Sequence, residues 1–120
     1  VFEVVDPDLP ATLSPKAISM IREAIGFKGL LMTDDLSMNA LPGDIGSRSA
    51  RARAAGVDVI LHCNGERPEM EAVLGNCGTL DGPAKTRADA ALSRMPRPQP
   101  LDIQAVEAEL SDLLGGEVYV

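Results

Sequence analysis

Asp34 and Asp35 stand side by side where the apolar run Gly29-Leu30-Leu31-Met32-Thr33 ends. Ionised carboxylates are expensive to bury unless they are paired or used, so two of them closing such a run point either to chemistry or to capping. A carboxylate fixed at a strand end can act as a nucleophile in glycosyl transfer, as a metal or phosphoryl acceptor, or as a substrate clamp. The plainer alternative is that both cap the next segment of the chain, as Asp often does. Local pattern leaves the two readings open.

The elements that would position the pair can be read from periodicity and punctuation. Gly29 to Thr33 reads as a short buried strand, and in parallel α/β architectures the carboxyl end of a strand is where chemistry is placed. Side chains alternate along a strand, so Asp34 shares a face with Met32, and Asp35 is left to anchor the loop or cap the next segment. Val1 to Val5 is a candidate strand, and Asp6-Pro-Asp-Leu-Pro10 a rigid connector. Ser14-Pro15 starts a helix with Ile18, Ile21 and Ile25 on one face, and Gly26 stops it.

Beyond the Asp pair, residues 39–46 form a loop and Ser47 to Ala55 a short helix ending at Gly56. Val57 to Cys63 is a second strand, and Asn64-Gly65 turns the chain. Pro68 opens a helix whose Met70, Val73, Leu74 and Cys77 read as a core stripe. Ala84 to Met95 is a further helix with Ala88, Ala91, Leu92 and Met95 inward. Pro96 to Pro100 is a stiff linker. Asp102 caps a last helix carrying Ile103, Val106, Leu110, Leu113 and Leu114, which Gly115-Gly116 ends. Strands separated by helices require parallel pairing, and parallel sheets are buried on both faces. Two or three strands cannot build such a sheet without exposing edges. The chain therefore reads as a slice of something larger, or as one that needs a partner to complete it.

Bulk properties narrow the classes. The chain has 120 residues, enough for one domain. Its 45% hydrophobic content fits a globular protein, and 2% aromatics leave the core to Leu, Ile, Val, Ala and Met. A net charge of −7 argues against nucleic acid or an anionic membrane as partner. No apolar run approaches the roughly 18 residues of a membrane span, and no signal peptide is visible. Cys63 and Cys77 lack CxxC spacing and read as free buried thiols of a reducing cytoplasm.

Four segments together resemble glycoside hydrolase family 3: Asp6-Pro-Asp-Leu-Pro-Ala-Thr-Leu-Ser-Pro15, Gly26-Phe-Lys-Gly29, Thr33-Asp-Asp-Leu-Ser-Met38 and Ala55-Gly-Val-Asp-Val-Ile-Leu-His-Cys-Asn-Gly65. Within that family the chain is most similar to the NagZ-type β-N-acetylhexosaminidases of peptidoglycan recycling. The β-glucosidase branch typically has Ser-Asp-Trp where this chain has Thr33-Asp34-Asp35. The resemblance implies an α/β fold, the C-terminal part of a (β/α)₈ TIM barrel. It would comprise about the last two βα units over residues 1–78, with a C-terminal helical extension over 79–120 packed outside the barrel.

It also implies that Asp34 is the catalytic nucleophile of a retaining mechanism and that Met38 lines the aminosugar pocket. The substrate would be a small carbohydrate, a terminal β-linked N-acetylglucosamine on muropeptide fragments in the bacterial cytoplasm. No metal or organic cofactor is needed for that chemistry. The family's Lys-His motif, substrate-binding Arg and Asp–His acid/base pair have no match here, so the missing N-terminal barrel portion would be required for activity.

Other residues carry blander expectations. His62, the lone histidine, reads as packed or hydrogen-bonded, since the family's acid/base lies on another loop. Asp58 reads as structural, and Asp6 and Asp8 as loop-fixing. Arg48, Arg51 and Arg53 read as a solvated helix face. A metal site of His62, Cys63 and Cys77 has the wrong spacing and lacks a fourth ligand. Two rival classes differ in kind. A phosphoacceptor receiver domain would need five strands, an acidic pair after the first and a separate Asp and Lys after later ones. A non-catalytic truncated fragment, acting only as a folding or interaction module, would need none of the chemistry.

Overall fold

Strand β1, Met32–Asp35, and strand β2, Val59–Leu61, lie parallel and hydrogen-bonded at the centre of the computed structural model, which describes residues 2–116. Helix α1, Pro15–Ser19, runs on through a π-helical stretch at Met20–Ala24 and precedes β1. Helix α2, Ile45–Ala55, is the crossover between the strands, and α3, Arg67–Asn76, comes after β2. Helices α4, Gly82–Ser93, and α5, Ile103–Leu113, complete the chain. The α/β alternation expected of the sequence is present.

Caps explain most of the helix ends. The Ser14 hydroxyl accepts from the Ala17 amide at 3.1 Å, with Pro15 at the first helical position. Asp44, not a residue nearer Ser47, caps α2 by accepting from the Ser47 amide at 2.9 Å, so the helix begins two residues earlier than its composition suggests. At the other end Gly56 takes φ +108°, and a Cβ there would meet Ile18 Cγ2 at 3.1 Å. Both the left-handed backbone and the close approach call for glycine. Asp102 caps α5 as expected, accepting from the Ala105 amide at 3.1 Å.

The expected first strand is displaced. Instead of ending at Thr33, β1 contains the Asp pair, because the preceding backbone is engaged by side chains. The Gly29 carbonyl accepts from Arg22 Nη1 at 2.7 Å, and the Leu31 amide donates to the Asp58 carboxylate at 2.9 Å. Pairing starts at the Leu31 carbonyl, which accepts from the Asp58 and Val59 amides. The register runs Met32 to Val59 and Asp35 to Leu61, so β1 carries one residue more than β2 between the two pairs. The Thr33 hydroxyl fills that irregularity by accepting from the Leu61 amide at 2.9 Å.

Residues 3–5 form a turn and not a strand, since the Phe2 carbonyl accepts from both the Val5 and Asp6 amides; Val1 lies outside the described residues. Two small clusters make the core. Leu13, Leu36, Leu41 and Ala52 form one, Ile18, Ala55 and Val57 the other, and Ile60 of β2 packs against both. Ile25 is exposed, although its spacing predicts a place beside Ile18. The π-helical stretch holds more residues per turn than an α-helix and rotates it off that face.

The remaining differences concern faces read as buried. In α3 only Val73 is buried, Cys77 is half-buried, and Met70 and Leu74 are exposed. In α4 Ala84 and Ala88 are buried, whereas Ala91, Leu92 and the following Met95 are exposed. Helix α5 presents Ile103, Val106, Leu110 and Leu113 to solvent. Cys63 is exposed and Cys77 half-buried, so neither free thiol is fully buried. Hydrophobic periodicity marks an apolar face; what covers that face is a separate matter.

Candidate active site

Met32 and Asp34 project from the uncovered face of β1 and are both exposed, while Thr33 is buried and Asp35 half-buried on the helix side. The two-residue period of the strand thus separates the neighbouring carboxylates. Asp34 Oδ1 accepts from the Asp35 amide at 2.8 Å, which orients the carboxylate, and Oδ2 has no protein donor among the described residues. A shallow groove of about 160 Å³ reaches Asp34, with Thr12, Ile21, Leu31 and Met32 among its lining residues.

Asp35 is occupied structurally. Oδ1 accepts from the Ser37 amide at 3.0 Å and the Cys63 amide at 3.2 Å, and Oδ2 accepts from the Ser37 hydroxyl. The Ser37 hydroxyl foremost, then the Ser37 and Cys63 amides and the nearby His62, hold its carboxyl below the usual range against the opposing effect of burial. This is the loop-anchoring role expected of the second aspartate.

Met38 lies in the turn after β1 and is half exposed. Its carbonyl accepts from Arg48 Nη1 at 3.2 Å, and the Leu36 carbonyl accepts from the same nitrogen at 2.8 Å. Arg48 of α2 is therefore a clamp on the Met38 turn, and the solvated face expected for it is corrected. Arg53 departs in the same way, donating to the carbonyls of Cys77, Val57 and Asp58, while Arg51 is half-buried. An arginine spaced along a helix gives no sequence signal for such a task, because its acceptors are backbone carbonyls brought up by the fold.

His62 is packed, with its side chain 6% exposed, and neither ring nitrogen has a hydrogen-bond partner among the described residues. Nε2 lies 3.4 Å from Glu69 Oε2 of α3, and Nδ1 lies 3.9 Å from Asp35 Oδ1. The Ser37 hydroxyl is also 2.9 Å from Asn64 Oδ1, and Asn64 Nδ2 reaches Glu69 Oε2 at 3.4 Å. These contacts join the turns after both strands at the carboxyl edge of the sheet.

Asp6 and Asp58 lie away from that edge. The Asp6 carboxylate accepts from the Ser14 hydroxyl at 2.6 Å and from the Asp8 amide at 3.1 Å, fixing the connector as expected. Asp58, at the opposite end of β2 from His62, is buried and accepts from Arg22, Arg87 and the Leu31 amide, a structural role.

Comparison with known proteins agrees with the motifs. The family model described as glycosyl hydrolase family 3 N terminal domain matches residues 1–97. A beta-hexosaminidase of Vibrio cholerae serotype O1 (strain M66-2) is 40% identical over 77 residues, 62% of this chain and 22% of that protein. One from Aromatoleum aromaticum is 36% identical over 110 residues, covering 89% of this chain and 30% of the relative. A third, from Thioalkalivibrio sulfidiphilus, is 37% identical over 98 residues, 79% of this chain and 27% of the relative. The chain thus spans 22% to 30% of the length of these curated relatives.

Proposed function

The chain belongs to the glycosyl hydrolase family 3 N-terminal-domain family, and on that premise we propose that it is the nucleophile-bearing segment of a retaining β-N-acetylhexosaminidase. The observation that carries this reading is the contrast between neighbours. Asp34 is exposed on the open face of β1 with one carboxylate oxygen that has no protein donor among the described residues, whereas Asp35 has both oxygens engaged. Relatives named beta-hexosaminidase support an aminosugar substrate.

In this reading β1 and β2 are the seventh and eighth strands of a (β/α)₈ barrel. Residues 1–78 form its last part, and residues 79–120 form a helical extension. A terminal N-acetylglucosamine of a β-linked peptidoglycan fragment is presented to Asp34 in the bacterial cytoplasm, with Met38 lining the sugar pocket. An Asp34 oxygen attacks the anomeric carbon as its bond to the leaving oxygen breaks, and that oxygen takes a proton from an acid that lies outside these residues. Water then attacks the same carbon, giving its proton to the same group, and the Asp34 carboxylate is released. Two inversions leave the configuration retained, and water is the only co-reactant consumed.

The test uses the full-length protein that carries these residues. A fluorinated aminosugar with a good leaving group should label the peptide containing Asp34, and Asp34→Asn should abolish both labelling and turnover. Asp35→Asn should impair turnover less. Labelling of Asp35 or of any other carboxylate instead would overturn the assignment.

A further inference from the structure

Five side chains close a ring at the carboxyl edge of the sheet: Asp35, Ser37, Asn64, Glu69 and His62. Four links are polar contacts of 3.4 Å or less, and the fifth, from His62 Nδ1 to Asp35 Oδ1, is the widest at 3.9 Å. His62 is the ring's buried member, and both of its nitrogens lack a partner within hydrogen-bonding geometry among the described residues. A buried unpaired ring nitrogen is a penalty of roughly 1–3 kcal/mol, and native proteins seldom keep one without a use. Here each nitrogen has a carboxylate as its nearest charged neighbour, one from β1 and one from α3.

We infer that His62 is a positioning residue for Asp34, acting through Asp35. His62 stands between Glu69 and the Asp35 carboxylate, which the Ser37 hydroxyl and the Ser37 and Cys63 amides hold, and the Asp35 amide is the donor that orients Asp34 Oδ1. The ring also ties the turn bearing Ser37, through Asn64, to Glu69 near the start of α3. A neutral imidazole has one N–H, and the Glu69 carboxylate at 3.4 Å from Nε2 is its nearer acceptor, so His62 braces the ring from the α3 side without touching the sugar. This role rests on Asp34 being the nucleophile, but the ring itself can be tested without that assumption.

Amide hydrogen exchange on the full chain reads the ring directly, since the Ser37 and Cys63 amides both donate to Asp35. In His62→Leu and in Glu69→Ala those two amides should exchange about 10-fold faster, with distant helical amides unchanged. In the full-length enzyme both variants should lower kcat about 10- to 100-fold while KM changes little. The double variant should be no worse than the poorer single one, because both break one ring. His62→Gln, which restores a donor, should recover part of kcat. Glu69 is a partly exposed helix position, so Glu69→Ala keeps the test decisive if His62→Leu does not fold. Unchanged exchange and wild-type kcat in Glu69→Ala, with Asp34→Asn inactive, would overturn the role of His62 alone. A fully active Asp34→Asn would overturn the nucleophile assignment, while the exchange data would still report on the ring.

Discussion

Arg87 grips Asp58 with two parallel hydrogen bonds, Nε to Oδ2 at 2.9 Å and Nη2 to Oδ1 at 2.5 Å. The planar fork matches the carboxylate, a geometry that lysine cannot reproduce. Arg22 adds a third donor at 2.6 Å and the Leu31 amide a fourth at 2.9 Å, so one buried carboxylate joins α4, the end of the first helix, β1 and β2. Asp58→Asn removes the charge that two arginines share and should destabilise the chain by about 3 kcal/mol or more. Denaturant unfolding measures this, and a loss below ~1 kcal/mol would show the cluster to be dispensable.

Acid should act through the same group. Burial pushes the Asp58 carboxyl up, but the Arg87 hydrogen bonds, the Leu31 amide and the Arg22 charge outweigh it, leaving the group below its ordinary 3.8. Asp6, held down chiefly by the Ser14 hydroxyl, and Asp44, held down chiefly by the Ser47 amide, shift the same way. A carboxyl lowered in the folded state contributes stability that is complete above its unfolded value and is lost as pH falls through the folded one. Melting temperature should therefore hold from neutral pH to about 5 and drop below about 4. Asp58→Asn should start lower and show a shallower acid limb. Parallel limbs in the two proteins would assign the acid loss elsewhere.

Arg48→Lys tests the clamp on the Met38 turn. A lysine carries one compact ammonium and cannot keep the guanidinium's placement between the Leu36 and Met38 carbonyls. With Met38 lining the sugar pocket, KM for a chromogenic N-acetyl-β-glucosaminide should rise about 10-fold, the worth of one charge-assisted hydrogen bond. Labelling of Asp34 by the fluorinated aminosugar should persist. An unchanged KM would separate Met38 from substrate binding.

These 120 residues assayed by themselves should not hydrolyse glycosides at an enzymatic rate. Asp34 supplies only the nucleophile, and protonation of the leaving group is typically worth about 10²–10⁴-fold. The open face bearing Met32 and Asp34, together with the exposed apolar residues of α5, should also make the chain associate. Light scattering should report oligomers. Saturable turnover that Asp34→Asn destroys would show that the chain holds its own acid/base, with His62 the first residue to substitute.

Local chemistry in the sequence determined the parts of this protein that depend on residues close together. Ser14-Pro15 and Asp102 mark helix starts because a cap and its amide lie three residues apart, and Gly56 marks a stop because its backbone must turn left-handed. Strand alternation likewise separates Asp34 from Asp35 once the strand is recognised.

Tertiary structure decided everything whose partner is distant in the chain. The register of β1, and with it the inclusion of the Asp pair, depends on Arg22 and Asp58 capturing the backbone at Gly29 and Leu31. Arg48 and Arg53 became clamps because folding brought carbonyls to them, and a carbonyl has no sequence signature. The exposure of Met70, Leu74 and the apolar face of α5 was equally illegible, since an amphipathic pattern specifies a face and not its cover. His62 shows the division most plainly. Its place at a strand end is local, whereas its burial between Asp35 and Glu69 exists only after two turns and a helix have met.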